Sequence, residues 1–404
     1  MGVEDPLLPA AAHLTGLYAG DVLRPAIEQA GGRLLTYRCT RVHYRPGRDL
    51  VAQFRTEIEW ADGRRRRERI VAATTSAGAP AGSIAVTAET PEDDLIVGVW
   101  RWPFDPGLPA LESVVGSAAA VLHDAGVDVG SDADVEVVTY RPIERAVLRV
   151  RAGARTWYLK AVRPTAAPMV VERHSALLAA GLPVPEVVAA DPARGWMLVS
   201  ELEGPTLRER IKTDAEIWIE PAELQSLIGR LREVTTLDTE AFRSRLVDGP
   251  HHASLLAAVL PDGKQRLARL TEHLGAAAAR SRTRERGFVH GDLHEAQLVV
   301  SDGRITGLLD IDEAGFGDPV DDIAVPAAQL RHRALTAPNG ARIERFVDDF
   351  LAECHADQHP DDVAAAMAAV LTGLATAPFR AQTEGWEHRV SAVLDLAERH
   401  IDPM

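Results

Sequence analysis

An Asp-Gly pair at positions 302–303, set between two short apolar runs, constrains this chain more than any other feature. Leu298, Val299 and Val300 precede it, and Ile305, Leu308 and Leu309 follow it. Asp-Gly between such runs predicts a tight β-hairpin, because the central residues of that turn need positive φ. A hairpin folds the chain back and brings Asp310 alongside Gln297, where the first strand begins. The loop feeding that strand reads His290-Gly291-Asp292-Leu293-His294-Glu295-Ala296-Gln297, and the return strand runs into Leu308-Leu309-Asp310-Ile311-Asp312. One carboxylate in a loop, an amide five positions on and a second carboxylate brought beside them form a set of hard oxygen donors. Such a set suits Mg²⁺ and a polyphosphate, which is the geometry phosphoryl transfer needs.

The 404 residues suffice for two or three domains with a substantial core. The sequence shows no apolar stretch long enough to span a bilayer, and Met1-Gly2-Val3-Glu4-Asp5-Pro6 is neither a secretory signal nor a myristoylation site. A cytoplasmic location with no membrane partner is therefore the expectation. Cys39 and Cys354 are too far apart in sequence to suggest a disulfide framework or a zinc site. A net charge of −15 argues against nucleic acid as a partner, which would demand a basic face, and is compatible with a cationic small substrate. Nearly every cationic side chain is Arg; the only lysines are Lys160, Lys212 and Lys264. Where Arg is so consistently used, a retained Lys marks a place for a compact ammonium. Lys160 ends the strand-like run Thr156-Trp157-Tyr158-Leu159-Lys160, whereas Lys212 and Lys264 read equally well as surface residues.

Along the chain, residues 36–75 alternate as strands, with Leu50 to Trp60, a turn at 61–63 and a return through Ile70 and Val71. The basic run Arg64 to Arg67 reads as the solvated flank of that hairpin. Residues 76–94 form a loop-rich stretch before a strand from Leu95 to Trp100, a helix from Ala110 to Asp124 and a linker over 126–134. A short repeat follows: Tyr44-Arg45-Pro46-Gly47-Arg48 returns as Tyr140-Arg141-Pro142-Ile143-Glu144-Arg145. The return strand of the first copy has no lysine, which makes residues 1–127 a non-catalytic cap domain related to the small lobe at 128–203. Past Lys160, a helix with Pro168 near its start carries Glu172 and an apolar face at Leu177 and Leu178. It stops at Gly181, Pro183 and Pro185. A strand over Trp196 to Leu202 breaks at Glu203-Gly204-Pro205, and Thr206-x-x-Glu209 is a capping box opening the next helix. Residues 204–404 are mostly helical, with Gly315 to Pro319 read as a turn leading to a helix at Asp321. The class is α+β: a mixed N-terminal cap, then a protein-kinase-like pair of a small mixed lobe and a large helical lobe.

In that frame Asp292 orients the attacking hydroxyl and accepts its proton, while Gln297 and Asp310 offer oxygens to Mg²⁺. Lys160 holds the ATP phosphates, fixed by Glu172, and backbone groups around Glu201 and Leu202 meet the adenine edge. His290 braces the loop, His294 faces either substrate or solvent, and Asp322 reaches back to the loop. Taken singly, an Asp after Gly is an ordinary turn residue, and a Lys and Glu twelve positions apart are an ordinary surface pair. Their joint order on the right elements is what carries the reading.

At these residues the chain resembles the aminoglycoside phosphotransferase and choline kinase superfamily. The matching pieces are His290-Gly291-Asp292-Leu293-His294, the Asp310 segment, Gly317-Asp318-Pro319 and Asp322-Ile323-Ala324. The resemblance implies an ATP- and Mg²⁺-dependent kinase of a small-molecule hydroxyl, with Asp292 as base, Gln297 and Asp310 as metal ligands and Lys160 with Glu172 on the phosphates. Most of the superfamily has Asn where Gln297 stands; Gln there, with a cap, is similar to the maltokinase and glucosamine kinase branch. That branch implies a sugar or aminosugar acceptor, with an aminoglycoside or an amino alcohol as the alternatives. The turn from Tyr140 to Ala146 lacks Gly, which leaves Arg141 or Arg145 to reach the phosphates. Asp312, Glu313, Asp318 and Trp386 are each read either as lining the acceptor pocket or as surface or core.

Three other readings compete. A protein kinase needs an activation segment for which 310–322 has no room. A dinuclear hydrolase built on His290, Asp292, His294, Asp310 and Asp312 leaves Lys160 and Glu172 without a role. A non-catalytic nucleotide-binding module is motivated by Gln297 and the Gly-free turn.

Overall fold

Alternating apolar residues build the first antiparallel sheet, and the same plan is then used a second time. The computed structural model describes residues 7–16, 18–45, 47–89, 94–129, 133–215, 218–235, 237, 244–281, 286–355 and 358–401. Pro46 of the first Tyr-Arg-Pro copy, 90–93 of the loop stretch, 130–132 of the linker and the first six residues lie outside them. The chain divides into two units, one of Met1–Ala167, Ala189–Leu198 and Ala377–Trp386, the other of Pro168–Val188, Val199–Thr376 and Glu387–Met404.

In the first unit, α1 (Leu8–Thr15) and α2 (Ala19–Gln29) precede β1 (Gly32–Arg45), β2 (Asp49–Trp60), β3 (Arg65–Thr75), β4 (Ile84–Glu89) and β5 (Asp94–Arg101). Their order in the sheet is β1-β2-β3-β5-β4. After α3 (Leu111–Asp124), β6 (Asp134–Arg141), β7 (Arg145–Ala152), β8 (Arg155–Val162), β9 (Val187–Asp191) and β10 (Trp196–Ser200) form a sheet in the order β6-β7-β8-β10-β9. The two sheets share one topology, and the Tyr-Arg-Pro repeat falls at the same hairpin of each. Tyr44 pairs with Leu50 as Tyr140 pairs with Ala146; one step on, Val51 faces Ala73 as Val147 faces Lys160. Ala73 therefore occupies the register position of Lys160. It is fully buried in a core where Val51 and Val71 meet Leu148, Leu159 and Ala161. The first copy has filled with apolar side chains the face that carries the ammonium in the second.

The Gly-free turn at 141–145 is held by a buried carboxylate. Ile143 adopts φ 61°, a region costly for a β-branched residue, and takes the conformation a glycine would relieve. Asp105 is 3% exposed and accepts from the Tyr140 hydroxyl at 2.6 Å, the Ile143 N–H at 3.0 Å and the Gly107 N–H at 2.8 Å. Gly107 is required there: a Cβ would lie 2.7 Å from Ile143 Cα. Burial raises the Asp105 pKa against the pull of these donors. Asp105→Ala leaves buried donors unmet and is expected to destabilise the first unit by about 2–4 kcal/mol in urea unfolding. A change below about 1 kcal/mol, the net worth of one ordinary hydrogen bond, would count against this clamp.

The second unit is mainly helical. It contains α4 (Ala167–Ala179) from its second residue, α5 (Leu207–Lys212), α6 (Pro221–Arg232), α7 (Arg245–Val259) and α8 (Lys264–Arg280). Then come β11 (Gly287–Val289), β12 (Leu298–Ser301), β13 (Arg304–Leu308), β14 (Gly315–Gly317), α9 (Asp321–Ala334), α10 (Gly340–Cys354) and α11 (Pro360–Leu374). α12 (Ala377–Arg380) returns to the first unit and packs on β1, and α13 (Trp386–Ile401) ends the chain. The Thr206–Glu209 capping box opens α5 with both reciprocal bonds made.

Four local readings are corrected. Leu177 is fully buried but Leu178 is 43% exposed, since successive residues on a helix point about 100° apart. The strand predicted to run to Leu202 ends at Ser200. Residues 315–317 form a strand paired with β11, Phe316 opposite Phe288, because tertiary pairing overrides two unfavourable glycines. Finally, Pro360–Arg380 is long and apolar enough, by length and composition, to cross a membrane, contrary to the sequence reading. Its apolar window is 67% buried within the protein, and α11 packs against α7 and α9.

Candidate active site

The loop from His290 to Gln297 is shaped by carboxylates and imidazoles acting on its backbone. Asp322, 1% exposed in the first turn of α9, accepts from the His290 N–H at 2.8 Å and the Gly291 N–H at 3.0 Å. His290 is fully buried, with Nδ1 3.3 Å from the Asp292 N–H and Nε2 2.9 Å from the Leu309 carbonyl. An Nδ1 that accepts requires the proton on Nε2, which then donates to Leu309. His290 thus ties the loop to the end of the hairpin, the bracing role expected of it.

The hairpin forms as the turn chemistry requires: Asp302 and Gly303 adopt φ 47° and 76°, and Leu298 pairs with Leu308. The Leu309 N–H donates to the Gln297 carbonyl at 2.8 Å, and the Gln297 side-chain amide lies 3.4 Å from Asp310 Oδ2. Asp310 itself holds φ 53°. Next to Gln297, His294 accepts the Ala296 N–H on Nδ1 at 3.2 Å and puts Nε2 3.3 Å from the same amide. Asp292 Oδ2 is 3.9 Å from His294 Nε2, and its side chain is 38% exposed. Asp292, His294, Gln297 and Asp310 therefore form a continuous polar string.

That string fits a divalent cation. With Nδ1 accepting, His294 carries its proton on Nε2, and burial holds its pKa below the usual imidazole range against the pull of Asp292 and Glu295. An Nε2–H seeks an acceptor, and a half-turn of the Gln297 amide presents Oε1 to it. Two oxygens, from Gln297 and Asp310, then stand side by side, and a hard cation satisfies both. Among the described residues no cluster of three or more His, Cys, Asp or Glu side chains is placed to hold a metal.

Several supports had no local signal in the sequence. Arg245, first residue of α7, donates through Nε to the Gly291 carbonyl at 3.1 Å and places Nη2 3.5 Å from Asp292 Oδ1. Its own N–H rests on Asp321 at 2.9 Å. Glu295 is 1% exposed between Arg208 at 3.0 Å and Arg333 at 2.7 Å. Burial pushes the Glu295 pKa up, but Arg208, His294 and Arg333 outweigh it and hold it below the ordinary carboxylate range. On α4, Arg173 donates to the Asp312 carbonyl, and His174 Nε2 lies 3.6 Å from Asp312 Oδ1.

The remaining predicted residues are placed as follows. Lys160 is on β8 of the first unit, 8% exposed, whereas Glu172 is an exposed residue of α4 in the second unit. Glu201 is exposed, and Leu202 packs on Gly307, where a Cβ would come within 2.7 Å of Leu202 Cδ1. Asp312 and Asp318 are buried at 9% and 7% exposure, and Glu313 is exposed. Trp386 belongs to the first unit and packs edge-on to Phe379 at 5.2 Å between ring centroids.

Comparison with known proteins adds a family. The model described as the phosphotransferase enzyme family matches residues 138–354. A thermostable mutant of aminoglycoside phosphotransferase APH(4)-Ia, solved with ADP and hygromycin B, is similar in fold at 16% identity and a TM-score of 0.51, covering 70% of this chain and 98% of that one. A choline/ethanolamine kinase family protein from Mesorhizobium loti is similar at 16% identity and a TM-score of 0.51, covering 72% and 95%. A search of curated protein sequences finds no match.

Proposed function

Because the chain belongs to the phosphotransferase enzyme family, we propose that it moves the γ-phosphoryl group of ATP to a hydroxyl of a sugar or aminosugar. The observation that carries this reading is the polar string itself, with Gln297 and Asp310 joined at the hairpin root and Asp292 one imidazole away. Asp292 takes the base role: it is partly exposed, turned toward His294 on one side and steadied by Arg245 on the other. It orients the acceptor hydroxyl and receives its proton as the oxygen attacks phosphorus. Gln297 and Asp310 hold Mg²⁺, which when bound neutralises charge on the transferring phosphates. Lys160 supplies a compact ammonium to the phosphates, and the backbone at Glu201 and Leu202 takes the adenine edge.

An aminoglycoside acceptor is the second reading, supported by the fold similarity to a phosphotransferase solved with hygromycin B. A cationic acceptor of either kind suits a chain of net charge −15. The deciding experiment screens sugars, aminosugars, aminoglycosides and amino alcohols for acceptor-dependent ADP release with Mg-ATP. Turnover with an aminosugar that vanishes in Asp292→Ala is the expected result. Turnover that persists in that variant, or no ADP release with any hydroxyl compound, contradicts the assignment.

A further inference from the structure

The first unit gathers positive charge, most of which the catalytic reading does not use. Arg41, His43 and Arg45 alternate along β1, which places them on one face of the strand. Arg45 reaches across to Glu144 in the Gly-free turn and pairs with Asp49 at 2.7 Å, so both nearby carboxylates are already engaged. Arg141 opens the same turn, where its carbonyl accepts the Glu144 N–H at 3.1 Å. Arg380 closes α12, which packs on β1 from far along the chain. Four guanidinium groups and an imidazole thus lie within electrostatic reach of one another, with the carboxylates of Asp49 and Glu144 already paired to Arg45.

Most of this charge lacks a partner. Among the described residues, the side chains of Arg41, Arg141 and Arg380 make no hydrogen bond and no close ion pair. Arg380 Nε and His43 Nε2 are buried without any hydrogen-bond partner. Partial desolvation and mutual repulsion lower the pKa values of Arg41 and Arg380 and hold the His43 imidazole down at about 3. A protein gathers like charges at partly buried positions only at a cost, and an anion with several acceptor oxygens removes that cost. The planar forks of Arg match phosphate oxygens two at a time, and several forks together suit a group that carries three or more such oxygens.

We propose that Arg41, Arg141 and Arg380, with His43, form a binding site for a phosphate-bearing anion in the first unit. The site joins the cap strand β1, the turn of the second sheet and α12 through one ligand. It stands independently of the acceptor assignment, and of its residues only Arg141, in the Gly-free turn, is also expected from the sequence to reach the nucleotide phosphates. The ligand is either the polyphosphate tail of the nucleotide or a separate phosphorylated molecule, since both present the same oxygens.

The test titrates the full chain with inorganic pyrophosphate in phosphate-free, Mg²⁺-free buffer by calorimetry. Wild type is expected to bind, and Arg41→Gln and Arg380→Gln each to weaken binding about tenfold or more, the scale of one charge-assisted hydrogen bond. Arg41 is exposed, so its variant keeps a folded reference should Arg380→Gln not fold. Mg-ATP binding in the same variants separates the sources: a parallel loss assigns the nucleotide tail, an unchanged affinity assigns a separate molecule. No pyrophosphate binding by wild type, or equal binding by wild type and Arg41→Gln, overturns the site.

Discussion

Replacing Asp292 with Asn is expected to lower kcat by about 10²- to 10⁴-fold, the usual contribution of a positioned general base, while Mg-ATP affinity stays near that of wild type. The asymmetry follows from where the carboxylate stands. It is partly exposed at the end of the string, held by Arg245 at 3.5 Å and next to His294 at 3.9 Å. Asn keeps the shape and loses the ability to accept a proton, so ground-state binding survives and the chemical step does not. Pre-steady-state ADP formation compared with nucleotide titration separates the two. An equal loss in both would mean that Asp292 shapes the loop and does not serve the reaction.

Asp322→Ala is expected to be as damaging for a different reason. Its carboxylate is the acceptor for two consecutive buried N–H groups, those of His290 and Gly291. Truncation strands both donors, at about 1–3 kcal/mol each, and releases the backbone just before Asp292. Urea unfolding should therefore show a loss of about 2–6 kcal/mol, and any folded fraction should turn over slowly. Arg245 grips the next peptide of the loop through the Gly291 carbonyl, so Asp322→Ala and Arg245→Ala should combine non-additively. A variant with wild-type stability and slow turnover would instead place Asp322 within reach of substrate.

What the sequence disclosed is what local chemistry decides. The 302–303 turn needed positive φ, and Asp-Gly announced it; the hairpin then carried Asp310 to Gln297. The Thr206–Glu209 box likewise needs only four residues. Residues joined through space left no such trace. Arg245 lies 46 positions from Gly291 and 47 from Asp292, and Arg208 lies 87 from Glu295; no periodicity links them. Arg173 and His174 follow the predicted Glu172, and it is they that grip the Asp312 segment. β14 was hidden because two of its three residues are glycines, and only pairing with β11 makes it a strand. The duplicated sheet lies between these cases. Its repeat was visible at Tyr44 and Tyr140, but only the strand register shows Ala73 standing where Lys160 stands.

Gln297 and Asp310, the amide and carboxylate at the base of one β-turn, are proposed to grip a metal-bound nucleotide together. Electron paramagnetic resonance of Mn²⁺ titrated into the protein with ATP reads this directly. Wild type is expected to broaden the free-ion spectrum, Gln297→Asn to do so still, and Gln297→Ala and Asp310→Ala to leave Mn-ATP free in solution. Tight Mn-ATP binding retained by Asp310→Ala would contradict it.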